Sequence, residues 1–283
     1  VKYTSSKPLP DVQKSGDLRG IPIDQVGVCD LEFPIIVLDR QNQRQSTTAK
    51  VSMSVSLPHH FKGTHMSRFV EVLSRHQGEM TMRTFPLILH ELKERLDAES
   101  AHLEVEFPYF IEKSAPVSGL RAPMGYRCTF SGESCGTEDD FVLRVNVPVT
   151  TLCPCSKEIS DYGAHNQRGN VSISVQSHRD GDSPWAFIWI EELIEIAEQS
   201  ASAPVYPLLK RQDERHVTMQ AFNHPVFVED LVRNVAGHLL KHERIRWFEV
   251  RAVNQESIHA HNAFARVVCD KTRGAKRSQE GNP

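Results

Sequence analysis

No apolar run in the 283-residue sequence approaches the ~20 residues that a bilayer-spanning helix needs. The opening residues, VKYTSSKPLPDVQKSGD, lack the apolar centre of a secretion signal and read as a loosely docked tail. Neither sign of charge dominates: 33 Lys and Arg against 36 Asp and Glu leave a net charge of −3, which is no footprint for a polyanion. No nucleic-acid or membrane partner is therefore expected, although a local basic pocket could still hold a single phosphate group. Cysteine is also scarce. Cys29, Cys128, Cys135, Cys153, Cys155 and Cys269 are six thiols in a long chain with no secretion signal, too few for a disulfide framework. The expectation is a cytoplasmic protein whose thiols are available as ligands or nucleophiles. The G-x-x-x-x-G-K-[ST] spacing of a P-loop is missing too.

What is present is strong periodicity. KVSMSVSL (50–57), HLEVEFPYF (102–110), FVLRVNVPV (141–149) and NVSISVQS (170–177) alternate apolar and polar residues, as half-buried strands do. VGVCDLEFPIIVL (26–38), RWFEVRAVN (246–254) and HNAFARVVC (261–269) add further strands, and GYRCTFSG (125–132) a weaker one. Helical spacing marks 67–77, with Ser67 as N-cap, then 85–99, 187–201 and 225–243, the last with Pro225 in its first turn. The chain so reads as ββααββ twice, without a residue-by-residue repeat. The expected fold is α+β: tandem antiparallel sheets, each with helices on one face, whose other face closes against copies of the chain as an oligomeric barrel. Boundaries follow as a polar tail over 1–22, modules over 23–135 and 136–270, and a basic polar tail over 271–283.

Five stretches could carry chemistry. In VTTLCPCSKEISDYGAHNQRG (149–169), Pro154 is expected to hold the chain extended, so that Cys153 and Cys155 point to one side, and His165 returns ten residues later. Thiolate and imidazole begin a zinc, iron or manganese site. A hairpin loop with two half-buried thiols is the plainer alternative. ESIHAHNAFA (256–265) sets His259 and His261 on one face if extended, either as ligands or as surface histidines. LLKRQDERHV (208–217), read as a link between helices, contains Asp213 and Glu214, and charge runs of this kind are commonly solvated. In HHFKGTHMSRF (59–69), Lys62, His65 and Arg68 surround a helix start. That arrangement suits an anion, or is an ordinary basic loop. Glu229, near another helix start, could accept two hydrogen bonds from a guanine edge if buried.

Three of these stretches, KGTHMSRF, PVTTLCPCSKEISDYGAHNQRG and ESIHAHNAFA, together resemble the type IB GTP cyclohydrolase I family over residues 20–270 or so. The resemblance implies tandem tunnelling-fold modules in a homotetramer with sites at subunit interfaces. It implies conversion of GTP and water to 7,8-dihydroneopterin triphosphate and formate, the entry to tetrahydrofolate and some deazaguanine bases. It implies one divalent metal per site (Zn, Mn or Fe) held by Cys153, His165, Glu214 and His259, with His259 preferred over its neighbour His261. Cys153 and His165 would act in catalysis with His261, an unligated histidine available for proton transfer, a task for which His65 is also a candidate. Glu229 would anchor guanine, and Lys62, His65 and Arg68 would hold the triphosphate. The chemistry is coherent, because attack on guanine C8 needs a better nucleophile than water, and a bound divalent metal lowers the pKa of water towards ~7. Within the same fold, a nitrile reductase forming a thioimide through Cys153 is an alternative. A non-catalytic protein with a structural zinc is another.

Overall fold

A computed structural model describes residue 13 and residues 15–76, 79–179 and 185–272. Nine strands and six helices follow in chain order: β1 Ile23–Asp39, β2 Gln43–Leu57, α1 Met66–Arg75, α2 Phe85–Leu96, β3 Ser100–Ser114, β4 Arg121–Cys135, β5 Glu138–Leu152, α3 Pro154–Ile159, β6 Asn166–Ser177, α4 Ile190–Ser200, β7 Ala203–Pro204, α5 Arg211–Asn223, α6 Val228–Lys241, β8 Ile245–Asn254 and β9 Ala263–Asp270. The strands hydrogen-bond in the order β1-β2-β3-β4-β5-β6-β8-β9, with β7 on β5. The fold is α+β, an antiparallel sheet carrying helices on one face.

The alternation that marked the strands is the alternation that is buried. On β5, Phe141, Leu143, Val145, Val147 and Val149 point into the core, and on β6 so do Val171, Ile173 and Val175. Register lays these against one another, from Leu143↔Val175 to Leu152↔Asn166. Each large apolar side chain buried in this way contributes about 1.5–3 kcal/mol. The helices close the core with Leu193, Ile194 and Ala197 of α4 and Leu231, Val235 and Leu239 of α6.

Two compact units emerge. One comprises Val1–Ile35, Ala49–Val105 and Ser131–Phe141, the other Ile36–Thr48, Glu106–Phe130 and Val142–Pro283. In the first, α1 packs on α2, with Phe85 edge-on to Phe141 at 5.2 Å between ring centroids. In the second, α6 packs on β8 and β9 and against α4. A polar bond is buried there as well: the Tyr109 hydroxyl donates to Glu191 Oε1 at 2.6 Å. Burial, reinforced by that carboxylate, pushes the Tyr109 phenol far above its usual pKa. Tyr109→Phe is expected to cost about 1.5–3 kcal/mol, the worth of a hydrogen bond to a charged acceptor. A urea titration would show it as a lower midpoint with an unchanged slope.

Several expected boundaries differ. Helix α1 begins at Met66, and its N-cap is His65, two residues before the expected Ser67. Helix α2 ends at Leu96, because Asp97 adopts a left-handed conformation (φ 52°) and stops the turn. Pro225 lies outside α6, which is preceded by Phe227 as N-cap. GYRCTFSG is no weak strand but the middle of the full-length β4. Most of the expected 208–217 link, from Arg211 on, belongs to helix α5, which runs to Asn223. That stretch has little apolar periodicity, so only packing reveals it. The second half of the chain therefore carries more helices than the expected ββααββ. The expected tails fall largely outside the described residues, except that backbone N–H groups of Lys62 and Gly63 donate to the carbonyls of Ser15 and Gln13.

Candidate active site

The antiparallel ladders fix where the site forms. β5 ends at Leu152 and β6 begins opposite it at Asn166. β8 pairs with β6 so that Asn254 lies beside Gly169, and β9 returns from Ala263 opposite Asn254. The 153–165 connection and the 255–262 connection therefore leave the sheet at the same end. Packing is close at this end: a Cβ at Gly169 would stand 2.8 Å from Asn254 Oδ1 and 3.2 Å from a Val149 methyl, so a larger residue would displace the Asn254 side chain.

The 153–165 connection is not the extended loop expected. Pro154 opens the short helix α3, and Cys153 is its N-cap. Proline is at home there because the first helical N–H has no intrahelical acceptor and the ring presets φ. The Cys153 thiol accepts the Ser156 N–H at 3.4 Å. Cys153 is half-buried and Cys155 exposed, with both thiols free. Helix geometry so separates two cysteines that an extended chain would have aimed together.

His165 closes the connection. Its carbonyl accepts the Cys153 N–H at 3.1 Å, and its N–H donates to Ser156 Oγ at 3.2 Å. The side chain is 11% exposed, with Nδ1 3.9 Å from Glu256 Oε2 and 2.9 Å from Gln167 Oε1. His259 stands edge-on to His165 at 6.2 Å between centroids. His261 stacks on His259 at 5.2 Å, with the ring planes 18° apart. Both lie in an exposed bend, not an extended segment. The structure therefore places Cys153, His165, His259 and His261 at one end of the sheet.

It does not bring Glu214 to them. Lys157 on α3 donates to the Phe222 carbonyl at 2.6 Å, which ties α3 to the far end of α5. Glu214 is eight residues back along that helix, about 12 Å at the α-helical rise. Among the described residues, no three His, Cys, Asp or Glu side chains gather closely enough to hold a metal. Cys153 and His165 fit one side of a site for a borderline metal by donor type: a soft thiol and an imidazole with one nitrogen already engaged. Asp213, the acid next to Glu214, is fully buried. It accepts from the N–H groups of Val117 and Ser118, each at 2.8 Å, from Ser118 Oγ at 2.7 Å and from Lys210 N at 2.9 Å. Burial opposes its charge, but these donors, the Ser118 N–H foremost, hold its carboxyl below the usual aspartate range. Asp213 thus pins the start of α5, while Glu214, one residue on, is exposed.

The substrate candidates divide in the same way. Glu229 is exposed in the first turn of α6, not buried as guanine anchoring by a sequestered carboxylate would have it. Lys62 is exposed, His65 is the N-cap of α1 and half-buried, and Arg68 donates to the Arg95 carbonyl at 2.8 Å. Arg68 is thus turned onto the end of α2, and the N–H groups of Lys62 and Gly63 are taken by Ser15 and Gln13.

Comparison with known proteins decides the family. The family model described as "Type I GTP cyclohydrolase folE2" matches residues 9–265. The chain belongs to the FolE2 family of type I GTP cyclohydrolases. It is 54% identical to GTP cyclohydrolase FolE2 of Geobacter metallireducens over 263 residues, covering 93% of this chain and 98% of that one. It is 53% identical to GTP cyclohydrolase FolE2 of Geobacter sulfurreducens, covering 93% and 99%. Among solved structures, uricase from Bacillus fastidious aligns with TM-score 0.54 at 9% identity, over 92% of this chain and 96% of that one. Uricase from Arthrobacter globiformis aligns with TM-score 0.52 at 9% identity, over 87% and 93%. At such identities the likeness is one of fold alone, and that fold is the tunnelling fold. This FolE2-family chain also holds residues that its motifs did not flag. The buried Thr151 and Gln167 and the half-buried Glu256 form a polar cluster beside His165. Gln167 and Glu256 lie inside the quoted motifs, but nothing in their residue type marked them.

Proposed function

We propose that this chain is a metal-dependent GTP cyclohydrolase of the IB subtype. It converts GTP and water to 7,8-dihydroneopterin triphosphate and formate, the first step of tetrahydrofolate and deazaguanine biosynthesis. The observation that carries the reading is the pairing of a half-buried Cys153 with His165 at the end of the sheet to which His259 and His261 also come, in a chain of the FolE2 family. Cys153, His165 and His259 are the proposed ligands from one copy, drawing closer than they stand here as the metal binds, with Glu214, exposed on α5, completing a site in the assembled enzyme. When bound, a zinc, manganese or iron ion supplies the Lewis acidity that makes water competent to attack guanine C8.

The chain's own residues do the remainder. Glu229 accepts hydrogen bonds from the guanine N1–H and 2-amino group. Lys62 and His65 face the triphosphate; Arg68 joins them only by leaving the Arg95 carbonyl. His261 is free to move protons during ring opening and reclosure, the task that suits an unligated imidazole near neutral pH. A cytoplasmic homotetramer is part of the proposal, as is the division into modules at residues 135/136. The large apolar side chains of Ile159 (78% exposed), Tyr162 (94%) and Ile258 (67%) near the site end support a neighbouring copy there. Purified protein supplied with Mn²⁺ or Zn²⁺ is expected to release formate from GTP and to yield a fluorescent neopterin after oxidation and dephosphorylation. No formate with any of several divalent metals would overturn the reading.

A further inference from the structure

We infer that Gln167 is a positioning residue that fixes which nitrogen of His165 faces outward. The inference rests on the metal-ligand reading of His165 and adds a residue to it. Gln167 is 8% exposed on β6, directly opposite the fully buried Thr151 on β5. An amide in such a place is costly unless each of its polar atoms finds a partner. Here each does. Nε2 donates to Thr151 Oγ1 at 3.1 Å and reaches Glu256 Oε1 at 3.5 Å, while Oε1 lies 2.9 Å from His165 Nδ1.

The direction of the hydrogen bonds follows from chemistry. A carboxylate only accepts, so Glu256 draws the NH₂ side of the amide towards itself. That turns Oε1 to His165, and an amide oxygen also only accepts. His165 Nδ1 must then carry the proton, leaving the lone pair on Nε2. The ring is thereby set as an Nε2 ligand, and its rotation is fixed by strands β5 and β6 together. Histidine ligands commonly have their second nitrogen engaged in this manner, and loss of the partner weakens metal affinity about 10–100-fold. A methionine or leucine at 167 would fill the same space and leave Nδ1 facing only Glu256 Oε2, 3.9 Å away and beyond hydrogen-bond distance.

The decisive measurement needs no metal. In metal-free protein labelled with ¹⁵N-histidine, at about pH 8 where an ordinary imidazole is neutral, His165 is expected to show the Nδ1–H tautomer. Gln167→Leu is expected to lose that preference and to bind Zn²⁺ or Mn²⁺ about 10–100-fold more weakly. Gln167→Glu keeps an acceptor towards Nδ1 and is expected to keep the tautomer, despite a second carboxylate beside Glu256. A wild-type protein with His165 protonated on Nε2 overturns the inference without any variant. So does a folded Gln167→Leu protein that keeps both tautomer and affinity. A wild-type protein that binds no divalent metal overturns the ligand reading instead, and the tautomer signal still judges Gln167 separately.

Discussion

Cys153→Ala is expected to reduce GTP turnover by on the order of 10³-fold or more while leaving the chain folded. The size follows from the role. A bound divalent ion supplies several kcal/mol of transition-state stabilisation, and each 1.4 kcal/mol or so is a factor of ten in rate. The fold should stand because Cys153 is half-buried and lies beyond the β5–β6 ladder, which ends at Leu152↔Asn166. The thiol accepts only a 3.4 Å hydrogen bond from Ser156, so its loss frays one short helix at most. Steady-state formate release and far-ultraviolet circular dichroism, measured side by side, check both halves. A folded variant with wild-type turnover removes Cys153 from the site. Cys155→Ala, which truncates an exposed thiol on the same helix, is the natural control.

Removal of metal by a chelator is expected to take activity to background and to leave the thermal unfolding transition largely in place. Added Mn²⁺ or Zn²⁺ should restore turnover. A structural zinc behaves oppositely, since its binding energy is folding energy and chelation unfolds the domain. The core makes the first outcome the expected one. It is built from strand alternation on β2, β3, β5, β6 and β8 and from the inner faces of α2, α4 and α6, with Phe85, Phe107, Phe141 and Phe248 fully buried. None of that packing involves the 153–165 connection. Collapse of the fold on chelation would favour the structural-zinc alternative and count against catalysis at this position.

Much of this was readable in the linear chain. The alternation of Phe141, Leu143, Val145, Val147 and Val149 has only one buried outcome in a sheet covered on one side, because side chains change face at every residue. The long LCPCSKEIS…GAHNQRG stretch carried the family. Helix α5 was not readable, since RQDERHVTMQAFN buries only Asp213 and Ala221 and so shows no apolar stripe. Pro154 is ambiguous in the sequence for a related reason. The same fixed φ serves an extended chain and the first residue of a helix, and only the following turn tells them apart. The Arg68 side chain also shows what neighbours in sequence do not tell: its hydrogen bond is to the Arg95 carbonyl, 27 positions away.

The sequence by itself determined the long strands, though not the two-residue β7, and the family, because periodicity and a long motif are properties of the chain alone. Only the tertiary structure decided between adjacent residues. Asp213 and Glu214 are both acids, and a helix turns about 100° between them, so one is sealed under the 117–118 turn and the other faces solvent. Cys153 caps a helix while Cys155 rides on its outside. Gln167 gains its part from Thr151 and Glu256, brought to it by pairing and by the connection after β8. Such assignments depend on which groups share a low-dielectric space, and the chain settles that only when distant segments pack.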